Sequence, residues 1–453
     1  MDSQFYSSVN LNASNLLGAL RHKSFTEVAT VSDGNHMGIS ESFVNDKSGV
    51  PYYRGQDVGH FFIEQANTAA HIDHQTFSSP HMERSRLHKG DVLLSIVGTV
   101  GGLSLVKTDA LAACSCKLAI LRPGVISAEL LSIFLQSHFG QIQIHRFKRG
   151  AVQMGLILED FDQLKVPDFS TAFEIEIVQT VNLAFQSVSS AQAAYVAAEI
   201  NILKAIGLYG FEVGTANANI KSFKNSFAST GRLDAEHYQL RYEALYQALA
   251  KNNRVFKLGD RLSFNQRGTQ PDYAEEGLPV VNSKHVQRGQ VNIGDTRFAN
   301  LPDKTNAVVI QQGDVLMNGT GVGTIGRAAP YLHTEKALPD NHVTVLRTDA
   351  MSPICLALYL NSIAGQYQVD QHFKGSSGQI ELYPADIANF WCPELDLATQ
   401  KKIDKLAQQS FTLKAQSERL LEAAKRAVEI AIEQDEAAGM AYLAREIQPS
   451  REF

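Results

Sequence analysis

Lys89-Gly90-Asp91-Val92-Leu93-Leu94 and Gln312-Gly313-Asp314-Val315-Leu316-Met317 stand 223 residues apart and follow one plan. In each, a Gly-Asp turn opens a run of β-branched and aliphatic residues, the signature of a buried strand. Each run leads into a glycine-rich stretch, Gly98-Thr99-Val100-Gly101-Gly102 in the first and Gly319-Thr320-Gly321-Val322-Gly323-Thr324-Ile325-Gly326 in the second. The correspondence continues downstream. Cys116-Lys117-Leu118-Ala119-Ile120-Leu121-Arg122 echoes His342-Val343-Thr344-Val345-Leu346-Arg347, and Leu130-Leu131-Ser132-Ile133-Phe134-Leu135 echoes Cys355-Leu356-Ala357-Leu358-Tyr359-Leu360. Phe139-Gly140-Gln141 echoes Ala364-Gly365-Gln366, and Lys148-Arg149-Gly150 echoes Lys374-Gly375-Ser376. Asp160-Phe161 matches Asp386-Ile387, and Val166-Pro167 matches Cys392-Pro393. The offset drifts only from 223 to 226 over this span, so the chain reads as a duplication.

A long stretch without proline follows each prolyl stop. In the first, Val181, Val188, Tyr195 and Ile202 recur by seven, with Val178, Phe185 and Ile206 on the neighbouring seam. In the second, Leu406, Leu413, Leu420 and Ala427 recur by seven, with Ile403 and Ala424 beside them. These are heptad patterns on helices about 50 Å long. An apolar strip of that length needs a partner, so the two helices are expected to pair antiparallel. Gly207 and Gly210 are the expected stops of the first. The expected fold is α+β: two duplicated mixed α/β domains, 1–170 and 231–395, joined by two long antiparallel coiled-coil helices, 171–210 and 396–440, about a pseudo-two-fold axis. Residues 211–230, rich in Ala, Asn, Ser and Gly, read as a linker, and 441–453 as a C-terminal tail. Each domain is expected to carry one short helix, about 127–145 and 352–370.

The 453 residues are 44% hydrophobic and 19% charged, enough apolar matter for full cores, which excludes wholesale disorder. No window of 18 residues is apolar and uncharged, so no membrane-spanning helix is expected. Met1-Asp2-Ser3-Gln4 lacks a basic segment followed by an apolar one, so no secretory signal is expected. Four cysteines, Cys114, Cys116, Cys355 and Cys392, are no disulfide framework in so long a chain, and the expected setting is reducing and cytoplasmic.

Catalytic constellations are not evident. The glycines at 319–326 lack the strand-then-helix context of a dinucleotide site, and no Gly-Lys-Ser/Thr phosphate loop occurs. His71-Ile72-Asp73-His74, with His81 and His88, has no counterpart in the second copy and reads as surface histidines. Cys114-Ser115-Cys116 reads as two free thiols on a strand, and no metal or cofactor is expected. The paired turns carry more chemistry. His145-Arg146-Phe147-Lys148-Arg149-Gly150-Ala151-Val152-Gln153 and His372-Phe373-Lys374-Gly375-Ser376-Ser377-Gly378-Gln379 combine phosphate-seeking cations with an amide that can read a base edge. The net charge of −6, spread evenly along the chain, runs against nucleic-acid binding by the chain as a whole.

In the order of these motifs the chain resembles the DNA-specificity subunit of type I restriction–modification systems. The resemblance spans nearly the whole length. It includes Arg232-Leu233-Asp234-Ala235-Glu236-His237-Tyr238, similar to the opening of a target-recognition domain in that family, and Leu397-Ala398-Thr399-Gln400-Lys401-Lys402-Ile403, similar to the start of its spacer helices. The first copy departs from both: Asp2-Ser3-Gln4-Phe5-Tyr6 keeps fragments of the opening, and Ala172-Phe173-Glu174-Ile175-Glu176 differs at the helix start. The resemblance implies a non-catalytic subunit of an anti-phage restriction system. It would read a bipartite target on double-stranded DNA and recruit two adenine methyltransferase subunits and, in full restriction complexes, a translocating nuclease. The chemistry and recurrence of the paired turns place the expected DNA contacts at Lys148, Arg149 and Gln153 and at Lys374, Ser376, Ser377 and Gln379, with Arg54 and Arg267 in the longer loops as alternatives. The resemblance implies that the long helices dock the partners, and the heptad seams put the expected docking residues at Val181, Val188, Tyr195, Leu406, Leu413 and Leu420. A specificity factor of a related defence system with different partners, and an acidic DNA mimic, remain alternatives.

Overall fold

A computed structural model describes residues 7–44, 48–66, 69–150, 154–213, 218–301, 307–375 and 380–447. The chain divides into two units, residues 1–189 with 413–453 and residues 190–412. Each unit is built on the same strand plan.

In the first unit the main sheet has four strands in the order Ala29–Asp33, Leu118–Pro123, Val92–Ser95, Leu103–Leu105. In the second the order is Leu262–Arg267, Val343–Thr348, Val315–Asn318, Ala328–Pro330. All neighbours in both are antiparallel. A second four-stranded sheet recurs as well, Phe43–Val44, Ala70–Ile72, Val50–Tyr53, Ala113–Cys114 against Tyr273–Ala274, Arg297–Ala299, Leu278–Val281, Leu338–Pro339. In both, only the last pair is parallel. The duplication read from the sequence is therefore a duplication of topology.

The Gly-Asp-Val motif earns its place in the middle of the main sheet. Successive strand residues face opposite sides, and here both sides are covered. Val92 and Leu94 pack with Leu130, Phe134 and the first long helix, while Leu93 packs with Tyr53, Ile63 and Cys114 of the other layer. In the second unit Val315 and Met317 face the helices and Leu316 faces Val281 and Val286. The motif's aspartates are buried, and each is satisfied twice. Asp91 accepts from the His88 amide at 2.9 Å and from Arg122 Nε at 3.0 Å; Asp314 accepts from the Gln311 amide at 2.9 Å and from Arg347 Nε at 2.7 Å. Gly90 and Gly313 hold φ of 91° and 94°, a left-handed turn that glycine adopts without strain.

The expected single short helix is two in each copy, Ala128–Gln136 with His138–Phe147 and Pro353–Asn361 with Ile363–His372. The chain breaks at Ser137 and Ser362, both extended, and the following helix folds back closely. A Cβ on Gly140 would meet the Phe134 carbonyl oxygen at 2.2 Å, and one on Gly365 the Leu360 oxygen at 2.1 Å. Gln141 and Gln366 then pin the glycine-rich turns by donating to the Gly101 and Gly326 oxygens, both at 3.1 Å.

The long helices are Thr171–Ala205 and Leu397–Glu433. In the first unit Phe173, Ile177, Val181, Ala184 and Val188 share a core with Leu420, Ala424, Ala427 and Ile432. In the second, Ala198, Ile202 and Ile206 share one with Ile403 and Ala407. The early part of one helix thus meets the late part of the other in each unit, the antiparallel order that the heptads predict. Residues 436–447, partly expected as a tail, form a helix, Glu436–Ile447, with Leu443 buried in the first core. The helices Ser8–Ala19 and Leu240–Asn252 were not read from the sequence. Among the described residues no helix is long and apolar enough to cross a membrane.

Candidate nucleic-acid interface

The cationic loops emerge from the second helix of each pair. Arg149 exchanges two backbone hydrogen bonds with Gly155, at 2.9 and 2.8 Å, and Lys374 does the same with Glu381, both at 2.8 Å. Each bridge closes a loop, and Gly150 and Gly375 turn it with φ of 125° and 100°. The same bridges tie the loop to the glycine-rich turn, through Val97 and Gly155 in one unit and Thr320 and Glu381 in the other. The cations are anchored alike. Arg149 pairs with Asp160, and Lys374 Nζ lies 2.8 Å from Asp386 Oδ1. These aspartates also accept from the Ile157 and Tyr383 amides, at 3.4 and 3.2 Å. Arg149 is therefore the counterpart of Lys374. Lys148, which the sequence set opposite Lys374, is the half-buried cap of its helix and corresponds to Phe373. Gln153, Ser376, Ser377 and Gln379 lie outside the described residues.

In the second unit two candidates named separately from the sequence come together. Arg267 ends the first strand of the main sheet, and its guanidinium carbon lies 5.7 Å from the Tyr383 ring centroid. Lys374 Nζ lies 5.6 Å from the same centroid. Arg267 donates from Nε to the Asn341 carbonyl and stands 3.7 Å from Glu381. The Tyr383 hydroxyl, and then Arg267, hold the Glu381 carboxyl below the usual carboxylate range. Lys374, Glu381 and Tyr383 line a cleft of about 590 Å³ together with Thr320, Gly321, His342, Gly375 and Ile380. Tyr383 is 41% exposed and the Lys374 side chain 52%, whereas the Arg267 side chain is only 18% exposed. Of the three, Lys374 and Tyr383 present the more exposed side chains.

The first unit builds the same end of its sheet differently. The counterpart of Arg267 is Asp33; each is followed by a glycine, Gly34 or Gly268, whose Cβ would fall 2.4 or 2.3 Å from a backbone oxygen. Asp33 pairs with Arg84 and accepts from His36 Nε2 at 2.6 Å. A guanidinium therefore stands at this end in both units, carried by the strand in one and by the short helix Pro80–Ser85 in the other. Arg84 leaves no sequence signal of this role, because it lies 51 residues from Asp33 and in no repeated motif. Arg54 is no counterpart of Arg267. It follows the strand Val50–Tyr53, and its Nε lies 3.5 Å from Asp57. Ile157 stands where Tyr383 does, 44% exposed.

No protein-family model matches the chain, and no curated protein matches it significantly. Among solved structures it is similar to a type I restriction–modification S subunit from M. genitalium, at 12% identity and TM-score 0.41, covering 96% of this chain and 98% of that one. It is similar also to the HsdS subunit from Thermoanaerobacter tengcongensis, at 14% identity and TM-score 0.29, covering 92% and 97%. A third structure, of a type I R-M system assembly, aligns at 17% identity and TM-score 0.31 over 94% of this chain and 97% of that one.

The seam residues named for partner docking are mostly spent within the chain. Val181, Val188 and Leu420 are buried in the first core. Tyr195 packs beside Phe411, and a Cβ on Gly289 would meet its hydroxyl at 2.7 Å. Burial pushes the Tyr195 phenol well up. Leu406 and Leu413 are only partly buried. The apolar groups that the first long helix leaves in solvent are Ile175, Leu183 and Val196. The described residues hold no cluster of three or more metal-ligating side chains. Cys114, Cys355 and Cys392 are buried free thiols, with burial pushing each up.

Proposed function

We propose that the chain is a non-catalytic DNA sequence-recognition subunit, which reads a bipartite target on double-stranded DNA and recruits adenine methyltransferase subunits, with a nuclease as a further partner in a full restriction complex. One observation carries the reading: a whole scaffold is repeated down to its buried Asp–Arg pairs, while the groups at one end of its main sheet are not. Arg267, Lys374 and Tyr383 in one unit stand where Asp33 with Arg84, Arg149 and Ile157 stand in the other. A repeated frame with unlike side chains at equivalent places suits two unlike half-sites. Cations anchored by carboxylates at the loop bases supply phosphate contacts without a basic surface overall, in keeping with the net charge of −6. On this reading Lys148, Arg149, Gln153, Lys374, Ser376, Ser377, Gln379, Arg54 and Arg267 belong to the DNA-facing loops, and the exposed Ile175, Leu183 and Val196, with the half-covered Leu406 and Leu413, replace the buried seam residues as docking groups.

The test is selection from a randomised duplex library with the full chain and its methyltransferase. Two conserved segments of different sequence, separated by an unread stretch, are expected. A single segment, or none, would overturn the reading.

A further inference from the structure

The last carbonyls of a helix have no partner within it. At the end of Ile363–His372, immediately before the Lys374 loop, three consecutive carbonyls are taken up from outside. His237 Nδ1 donates to the Gln371 oxygen at 2.8 Å. Arg232 donates from Nη1 to the His372 oxygen and from Nη2 to the Phe373 oxygen, both at 3.1 Å. The guanidinium is fixed in turn by Asp234, with Nε to Oδ1 at 2.8 Å and Nη2 to Oδ2 at 2.7 Å. Gln371 returns a bond from Nε2 to the His237 oxygen at 3.2 Å, and the His237 ring lies edge-on to His372 at 5.6 Å. The Arg232 side chain is 17% exposed, so it is placed to hold backbone rather than to meet a ligand.

We propose that Arg232 is a positioning residue for the DNA-facing Lys374 loop: its Asp234-fixed fork clamps the carbonyls of His372 and Phe373 and so sets the direction in which the chain leaves the helix. This rests on the DNA-recognition reading. A cation at a helix C-terminus is favourable in itself, and a bidentate carboxylate gives the fork a fixed plane. The next backbone groups, at Lys374, are those that pair with Glu381 and close the loop. The motif 232–238 thereby couples the segment after the linker to the loop of its own unit.

Two measurements on the full chain decide it. Amide hydrogen exchange should speed at Lys374 and Glu381 by on the order of tenfold in Arg232→Ala, the effect of losing a charge-assisted hydrogen bond. The equivalent amides at Arg149 and Gly155 should exchange as in the parent, and Arg232→Lys, which keeps the charge but not the fork, should fall between. In library selection Arg232→Ala should blur one conserved segment and spare the other, with the salt slope of binding unchanged. Unchanged exchange at Lys374 and Glu381, faster exchange in both units alike, or both segments read as sharply as by the parent, would overturn the proposal. A parent chain that selects no sequence sinks the recognition reading instead, and the exchange measurement still decides whether Arg232 holds the loop.

Discussion

Asp314 is fully buried, and both its oxygens are used, by Arg347 at 2.7 and 2.9 Å and by the Gln311 amide at 2.9 Å. Asp314→Ala leaves a guanidinium and a turn amide without their acceptor and should cost about 2–3 kcal/mol in denaturant unfolding, whereas Glu422→Ala, at the exposed pair with Lys425, should cost less than about 0.5 kcal/mol. His372 carries a pH prediction. Burial first, then the neighbouring charges of His237 and Lys257, push its pKa from 6.5 down to about 4, Arg232 adding to the fall and Asp386 opposing it. The folded chain then binds fewer protons than the unfolded one between these values. This contribution to stability is fully present above pH 6.5 and is lost as the pH falls toward 4, on the order of 3 kcal/mol in all. Unfolding curves at pH 7 and 5 should differ less in His372→Gln than in the parent. Lys374 is the third case: Lys374→Ala should weaken binding to every duplex and reduce the salt slope by about one unit, read by titration at several salt concentrations.

On each long helix a heptad position is not sufficient for burial, and buried residues such as Ile177, Ala184 and Ala407 lie off the series named from the sequence. Leu420 is 1% exposed in the first core, whereas Leu413 is only half covered and belongs to no core cluster. Leu420→Asp should therefore cost about 3 kcal/mol or more, the penalty of an unpaired buried charge, and Leu413→Asp no more than about 1 kcal/mol. Thermal unfolding of the two variants side by side checks the ranking. Equal losses would mean that Leu413 is buried as deeply as the repeat alone implies. The paired short helices teach the same lesson. Their apolar run reads as one helix, but serine at 137 and 362 and a following glycine let the chain fold back where a side chain would collide with the preceding turn.

On the proposed reading, the acidic balance of the whole molecule and the pairing of Arg149 and Lys374 with Asp160 and Asp386 leave part of the phosphate contacts to a partner. The purified chain should transfer no methyl group from S-adenosylmethionine to DNA. Adding the methyltransferase should bring both transfer and tight, specific binding. Transfer by the chain alone would overturn the subunit reading.

The sequence by itself determined the duplication, the central buried strands, the two long helices and the loops that carry cations, because each leaves a local mark: a repeated motif, an apolar run, a heptad, a Lys-Gly or Arg-Gly turn. It could not place Arg84, since Asp33 and Arg84 lie 51 residues apart and are brought together by the packing of the short helix Pro80–Ser85 against the strand end. Nor could it set Arg149, rather than Lys148, opposite Lys374, because that register is decided by backbone bridges to Gly155 and Glu381. The convergence of Arg267 and Lys374 on Tyr383, and the clamp of Arg232 on the helix before the loop, join residues more than a hundred positions apart. Such contacts depend on strand order and helix packing, which only the tertiary structure decides.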